Sequence, residues 1–317
     1  MRLHRGILAG IVCALASTVG TACDLVVEPG EPVRVRQGIV FGSFAPEDSI
    51  SAPPAARVVN GGELIVDGGS LLGGNALVSS FETFSFAADA IEVEPGGRVR
   101  VENGLVRGGE LAFTRHLGSF VPGTSGILAL QGNVEINGGT IAGGPAAEFL
   151  PRPLETAVGA ASGGTGVRAI DSMLVIRGGV LRPGPATVDS DFAPPASLDA
   201  TGSSFAITGG DFRAGPVRLR SSRGNISGGL FSEIDLSAPS CVEIRGGTFE
   251  RLVIDVPETE VFLFGEGFSV PFGATPASST PLRISGRLED GTPIDFELTS
   301  EFGGQLLLTP SRGVGCL

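Results

Sequence analysis

Ile207-Thr208-Gly209-Gly210-Asp211-Phe212, Ile226-Ser227-Gly228-Gly229-Leu230-Phe231 and Ile244-Arg245-Gly246-Gly247-Thr248-Phe249 are three near-copies of one phrase. It reads: a β-branched residue, any residue, Gly-Gly, any residue, then a large apolar residue. The glycine pairs start 19 and then 18 residues apart. Repetition of a supersecondary unit at a near-constant short interval marks a stacked repeat architecture. A β-sandwich with Gly-rich turns would not repeat one phrase in this way.

Working outward, the phrase is found eight times, beginning at Val59, Val66, Val106, Ile136, Ile176, Ile207, Ile226 and Ile244. Before the glycines, apolar and polar residues alternate: Val242 and Ile244 face one way, Glu243 and Arg245 the other. Period-two alternation predicts half-buried strands. The glycine pairs are expected at corners, where a positive φ and close stacking are both required. Phe212, Phe231 and Phe249 are expected to re-enter the core on successive turns. Upstream the pairs are spaced irregularly, by 40, 30, 40 and 31 residues, which points to inserted loops at 112–125, 145–164 and 183–196. The reading is an all-β chain folded as a single-stranded parallel β-helix (a β-solenoid), right-handed, with a C-terminal β cap.

The N-terminus reads as an address. Met1-Arg2-Leu3-His4-Arg5 is basic and Gly6 to Ala16 is apolar but too short to span a bilayer. Val19-Gly20-Thr21-Ala22-Cys23 then resembles a bacterial lipoprotein signal, in which the cysteine carries the lipid; Gly20 departs from the usual Leu. The expected division is a signal peptide over 1–22, a Pro-rich tether with a cap strand near Ile39 over 23–56, the parallel β-helix over 57–268, and a cap and tail over 269–317. The expected destination is the cell envelope of a bacterium, at the outer surface or in the periplasm, with the membrane as one partner through the lipid at Cys23. Export also permits a disulfide, and Cys241 and Cys316 are the candidates. The alternative is two unpaired thiols.

The run of Ile-x-Gly-Gly-x-Phe phrases, followed by Phe264-Gly265-Glu266-Gly267-Phe268 and Gly286-Arg287-Leu288-Glu289-Asp290-Gly291-Thr292, resembles bacterial exported right-handed parallel β-helix surface proteins. The resemblance covers roughly residues 57 to 310. It implies fold more than function. Some members carry a C-terminal sorting tail, whereas Gly313-Val314-Gly315-Cys316-Leu317 has no hydrophobic anchor.

Composition narrows the chemistry. Gly is 50 of 317 residues, net charge is -12, and Trp and Tyr are absent. Lys is absent too, so every side-chain cation other than histidine is Arg. Removal of Arg2 and Arg5 with the signal leaves the chain more acidic still. An acidic chain repels phosphate backbones, which argues against nucleic acid as a partner. Parallel β-helices also host polysaccharide lyases and glycosidases, and a glycosidase needs two carboxylates a few ångströms apart. Same-face acid pairs are present at Glu92 with Glu94, Glu233 with Asp235, and Asp189 near Asp191; each also fits the solvated side of a strand. Arg218 and Arg220 flank Leu219 and are expected to face outward. Aligning the glycines with a one-residue shift places Arg218 over Asp235 as a surface ion pair.

Against sugar chemistry, there is no Trp or Tyr to stack on a sugar ring. His116, next to Arg115 in an inserted loop, is the one histidine outside the signal, and no Gly-x-Ser-x-Gly elbow accompanies it. Calcium nonapeptide repeats, EF-hand loops and phosphate-binding loops are absent from the sequence, so neither metal nor cofactor is expected. The reading is a non-catalytic surface protein, structural or adhesive, with an unidentified protein or glycan partner. A carbohydrate-active enzyme of the β-helix type is the alternative.

Overall fold

The structure is a computed structural model, and it describes residues 25–42, 52–77, 87–112, 123–146, 163–185, 195–300, 302–310 and 316. Within them the chain is all-β, with no helix. Most strands pair in parallel and fall into three ladders, here A, B and C. The chain visits them in that order, tier after tier.

Ladder A begins with Leu25–Val27 on Ala56–Val58, which pairs in turn with Ile91–Val93, Ile127–Leu130, Val167–Ile170, Leu198–Thr201 and Val217–Arg220. Ladder B holds one inward row in unbroken register: Val35, Val66, Val101, Ile136, Ile176, Ile207, Ile226, Ile244, Leu263 and Leu308. Ladder C begins with Ile39–Phe41 on Ser70–Leu72 and ends on Thr248 and Phe249. Alternation along each strand sends one set of side chains into the space between the ladders, and this is the core. No single tier could bury its apolar side alone; each inward row covers the next. Phe212 and Phe231 stack with ring centroids 4.9 Å apart. Phe249 lies in register below Phe231 but sets its ring against Phe296, at 4.6 Å and tilted by 53°.

Four expectations change. First, the eight copies of the phrase do not occupy one corner. Six lie between ladders B and C. The copy at Val59 lies between A and B, where Gly96-Gly97 follows it in the next tier, and the copy at Val106 forms the end of a ladder C strand. Glycine pairs occur at all three corners, so glycine alone cannot say which corner is being turned. The uneven upstream spacing arises in part from mixing corners.

Second, residues 25–42 are no tether. Leu25–Val27, Val33–Val35 and Ile39–Phe41 pair in parallel with the tier above and form the first tier. Third, the strand Glu260–Glu266 is not the last turn of the stack. Gln305–Pro310 pairs with it in parallel, and Pro293–Thr299 extends ladder A below Arg251–Val253. Leu282–Leu288 and Pro293–Thr299 form an antiparallel hairpin, and Gly273–Pro276 pairs antiparallel with Gln305–Pro310. Fourth, Arg218 and Asp235 are register partners but not solvated ones: their side chains are only 13% and 18% exposed. Most of each inserted loop, with Asp189, Asp191, Arg115 and His116, lies outside the described residues, as does Cys23.

The B–C corner shows why two adjacent glycines are used. Gly229 has φ +116°, a conformation that side chains rarely adopt. Its neighbour Gly228 has no such φ, but a Cβ there would sit under 3.0 Å from Thr208 O of the preceding tier. One glycine supplies the turn and the other the close approach.

Candidate functional site

The outward side chains of ladder A contain two of the three acid pairs singled out from the sequence. Glu92 and Glu94 lie 3.5 and 4.0 Å from Arg57 on the strand before. Glu233 accepts a hydrogen bond from Arg251 at 3.1 Å. Asp235 lies 3.5 Å from Arg218, and Asp199 lies 3.5 Å from Arg220, whose Nε also donates to Ser237. Thus every described same-face acid pair is tied to an Arg on a neighbouring strand. Burial pushes the Asp235 carboxyl above the usual carboxylate range, and the Arg218 charge only partly offsets this. One oxygen each of Asp199 and Asp235 is buried without a hydrogen-bond partner. Asp89, at the C–A corner, is also pushed up by burial, although the Ser125 amide donates to it.

A cleft of about 480 Å³ opens where the hairpin meets the stack, walled by Glu233, Glu250, Arg251, Arg283, Asp295 and Glu297. It places acids and arginines together, which an enzyme would need. Asp295 in its wall does not fit the general-acid role of a glycosidase. Arg283 grips both oxygens of Asp295 at 2.7 Å and holds that carboxyl below its ordinary range. Glycoside hydrolysis needs a carboxyl kept protonated instead. The aromatic residue in the wall, Phe296, is 1% exposed and offers no face to a sugar ring. No group of three or more metal-ligating side chains is found among the described residues.

A second cluster joins the end of the chain to the stack. The Arg245 guanidinium lies 3.6 Å over the Phe264 ring and bridges Glu243, at 3.0 Å, and Glu289, at 2.6 Å. Asp290 N–H donates to Arg245 O. Glu289 and Asp290 belong to the hairpin turn, so the turn docks on the B–C corner, and a Cβ at Gly246 would strike Asp290. Beside it, the structure joins Cys241 to Cys316 with their Cα atoms 5.9 Å apart, and Cys316 N–H donates to Glu243.

Sequence reasoning missed a row of buried serines at the A–B corner. Ser172 N–H donates to Ser203 Oγ at 3.1 Å, Ser203 N–H to Ser222 Oγ at 3.2 Å, and Ser222 N–H to Ser240 Oγ at 3.1 Å. Gly132 N–H donates to Ser172 Oγ in the same way. The hydroxyls of Ser172, Ser203 and Ser222 donate to the carbonyls of Ile170, Thr201 and Arg220. Donor and acceptor are both engaged, so these serines are structural and are not nucleophiles. A signal was present: Ser172, Ser203, Ser222 and Ser240 each stand six residues before Gly178, Gly209, Gly228 and Gly246.

Comparison with protein-family models, with curated proteins and with solved structures returns no match for this chain.

Proposed function

We propose that the chain is an exported, lipid-anchored, right-handed parallel β-solenoid, closed at its C-terminal end by the hairpin and the strands Gly273–Pro276 and Gln305–Pro310. Its role is structural or adhesive, without catalysis. Three in-register ladders visited in the order A, B, C support the coil, and the strong right-handed preference of parallel crossovers supports its hand. The antiparallel strands cover backbone that an open end would expose.

The observation that carries the non-catalytic reading is the pairing of each described acid pair with arginine. What the surface offers a partner is a long set of strand faces with fixed charge. The basic and apolar N-terminal segment supports export, and the small residues before Cys23 support acylation there.

Two experiments test this. Cell fractionation of the full chain and of Cys23→Ala is expected to show the first with membranes and the second released; equal membrane retention defeats the anchor. Incubation with neutral and acidic polysaccharides is expected to release no new chain ends. Turnover that Glu233→Gln or Asp295→Asn abolishes would replace this reading with the carbohydrate-active one, for which the acid-and-arginine cleft is the favouring observation.

A further inference from the structure

We infer that the outer face of ladder C is a lipid-facing surface, on which the stack lies along an anionic bilayer. The inference deepens the anchored reading and rests on it for the place of attachment, but the face stands on its own geometry.

Two outward rows make up the face. One runs Ile39, Ser70, Leu105, Thr140, Val180, Asp211, Leu230 in register. The other runs Phe41, Leu72, Arg107, Ala142, Arg182, of which Ala142 is buried. Ile39 is 55% exposed, Phe41 52%, Val180 40% and Leu230 39%. From Ile39 to Leu230 the face extends about 29 Å, six steps at ordinary strand spacing. Among the described residues of the two rows, the one acid over that length is Asp211, and Arg213 neutralises it with bonds of 2.6 and 3.0 Å. Arg107 and Arg182 are exposed and have no acid in ion-pair reach among the described residues.

The other two faces differ. Ladder A carries Glu92, Asp199 and Asp235 outward beside Arg57, Arg168, Arg218 and Arg220, and ladder B carries Glu63, Glu135 and Glu243 beside Arg34, Arg98, Arg100 and Arg223, so charge of both signs is interleaved there and exposed apolar residues are fewer. Among the described strand residues, the outward acids thus lie mainly on ladders A and B. An anionic surface would attract this face, at about 1 kcal/mol per arginine near the headgroups. A second copy is a poorer occupant: two such faces would bring arginines together, and both molecules are strongly acidic.

The place of attachment agrees. Strand A follows strand C in every tier, so Leu25 enters ladder A at the C–A corner. Its N–H donates to Ala55 O, while Gly42, directly after Phe41, packs on Pro53 O of the same segment. Cys23 is two residues before Leu25, a reach of about 7 Å. A lipid on Cys23 would be tethered within that reach of Leu25.

The test uses the full chain with Cys13→Ala and Cys23→Ala, so that no acyl group contributes. An environment-sensitive fluorophore is placed at Val180→Cys on ladder C or at Ser204→Cys on ladder B. Vesicles of phosphatidylcholine with phosphatidylglycerol are then added. The expected result is a blue shift at 180 and none at 204, with vesicle affinity at least about tenfold weaker for Arg107→Glu/Arg182→Glu. Equal shifts at both positions, no shift at either, or a shift at 180 that needs no vesicles and follows protein concentration would overturn it; the last would mean a second copy. Failure of the Cys23 fractionation with a positive vesicle result would remove the anchor and leave the face.

Discussion

The A–B and B–C corners turn the same chain, yet they are built differently. At B–C the positive-φ residue is glycine in every described tier from Gly68 to Gly247. At A–B it is Gly61, Gly96 and Gly202 in some tiers but Gln131, Asp171 and Ser221 in others, with φ of 53°, 50° and 49°. The difference is what a Cβ would meet. At B–C it meets backbone of the preceding tier at Gly68, Gly104, Gly139, Gly179 and Gly247, and a packed ring, Phe212 or Phe231, at Gly210 and Gly229. At A–B it meets little: around Gly61 the nearest atoms are 3.4 Å away, and at Gly202 the obstacle is the movable carboxylate of Asp171. The A–B corner therefore tolerates side chains, and it gains order from the serine row instead. Tight stacking holds one corner, hydrogen bonding the other.

The largest effect should separate the two. Gly228→Ala is expected to cost about 3 kcal/mol or more, because Thr208 O has nowhere to go. Gly202→Ala should cost only about 1 kcal/mol, the strain of one left-handed residue. Denaturant midpoints of the two variants measured together check this, and similar losses would erase the distinction. Next, Ser222→Ala should cost about 1–3 kcal/mol, since it orphans the buried Ser203 amide. Faster amide exchange at Ser203, without change at Gly210 or Gly229, would tie the loss to the A–B corner.

On ladder A, between corners, Arg218→Ala should cost about 1–3 kcal/mol at neutral pH by leaving Asp235 uncompensated. The sign with pH follows from the raised native pKa of Asp235: stability from this group is greatest at low pH and is lost as pH rises through that pKa. Asp235→Asn should flatten that dependence in thermal melts. The smallest effect concerns Asp295, far from both corners. Arg283 lowers its pKa, so its contribution is present above the ordinary carboxylate value of about 4 and is lost as pH falls through the native one. Asp295→Asn should slightly reduce the acid-side loss of stability, and an unchanged acid limb would show the exposed pair to be energetically silent.

Much of the all-β character was legible, because alternation such as Val242-Glu243-Ile244-Arg245 and the paired glycines each have few structural uses. The register of Arg218 on Asp235 could be read from the glycines, but its burial could not, since exposure depends on what the adjacent strands and turns cover. The first tier escaped because Pro29, Pro32 and the surrounding charges read as linker, although proline is compatible with short edge strands. The corner assignment escaped for a physical reason: a glycine required for φ and a glycine required for close approach look alike in sequence. The serine row was available as a constant offset of six, and seeing it required counting from the glycines backward. The cleft depends on where the hairpin docks, through Glu289 on Arg245 and Glu297 beside Arg251, and no local pattern announces such a contact.

The register of successive tiers is the central claim, and a spin-label distance across ladder B tests it most directly. Met173, Ser204, Arg223, Cys241 and Glu260 occupy one outward row. Labels at Met173→Cys and Glu260→Cys, with Cys13 and Cys23 replaced by alanine, are separated by four strand spacings, so their Cα atoms should lie about 19 Å apart. A single narrow distribution near that value is the predicted result; a broad one, or one centred beyond about 30 Å, would contradict the stacked arrangement.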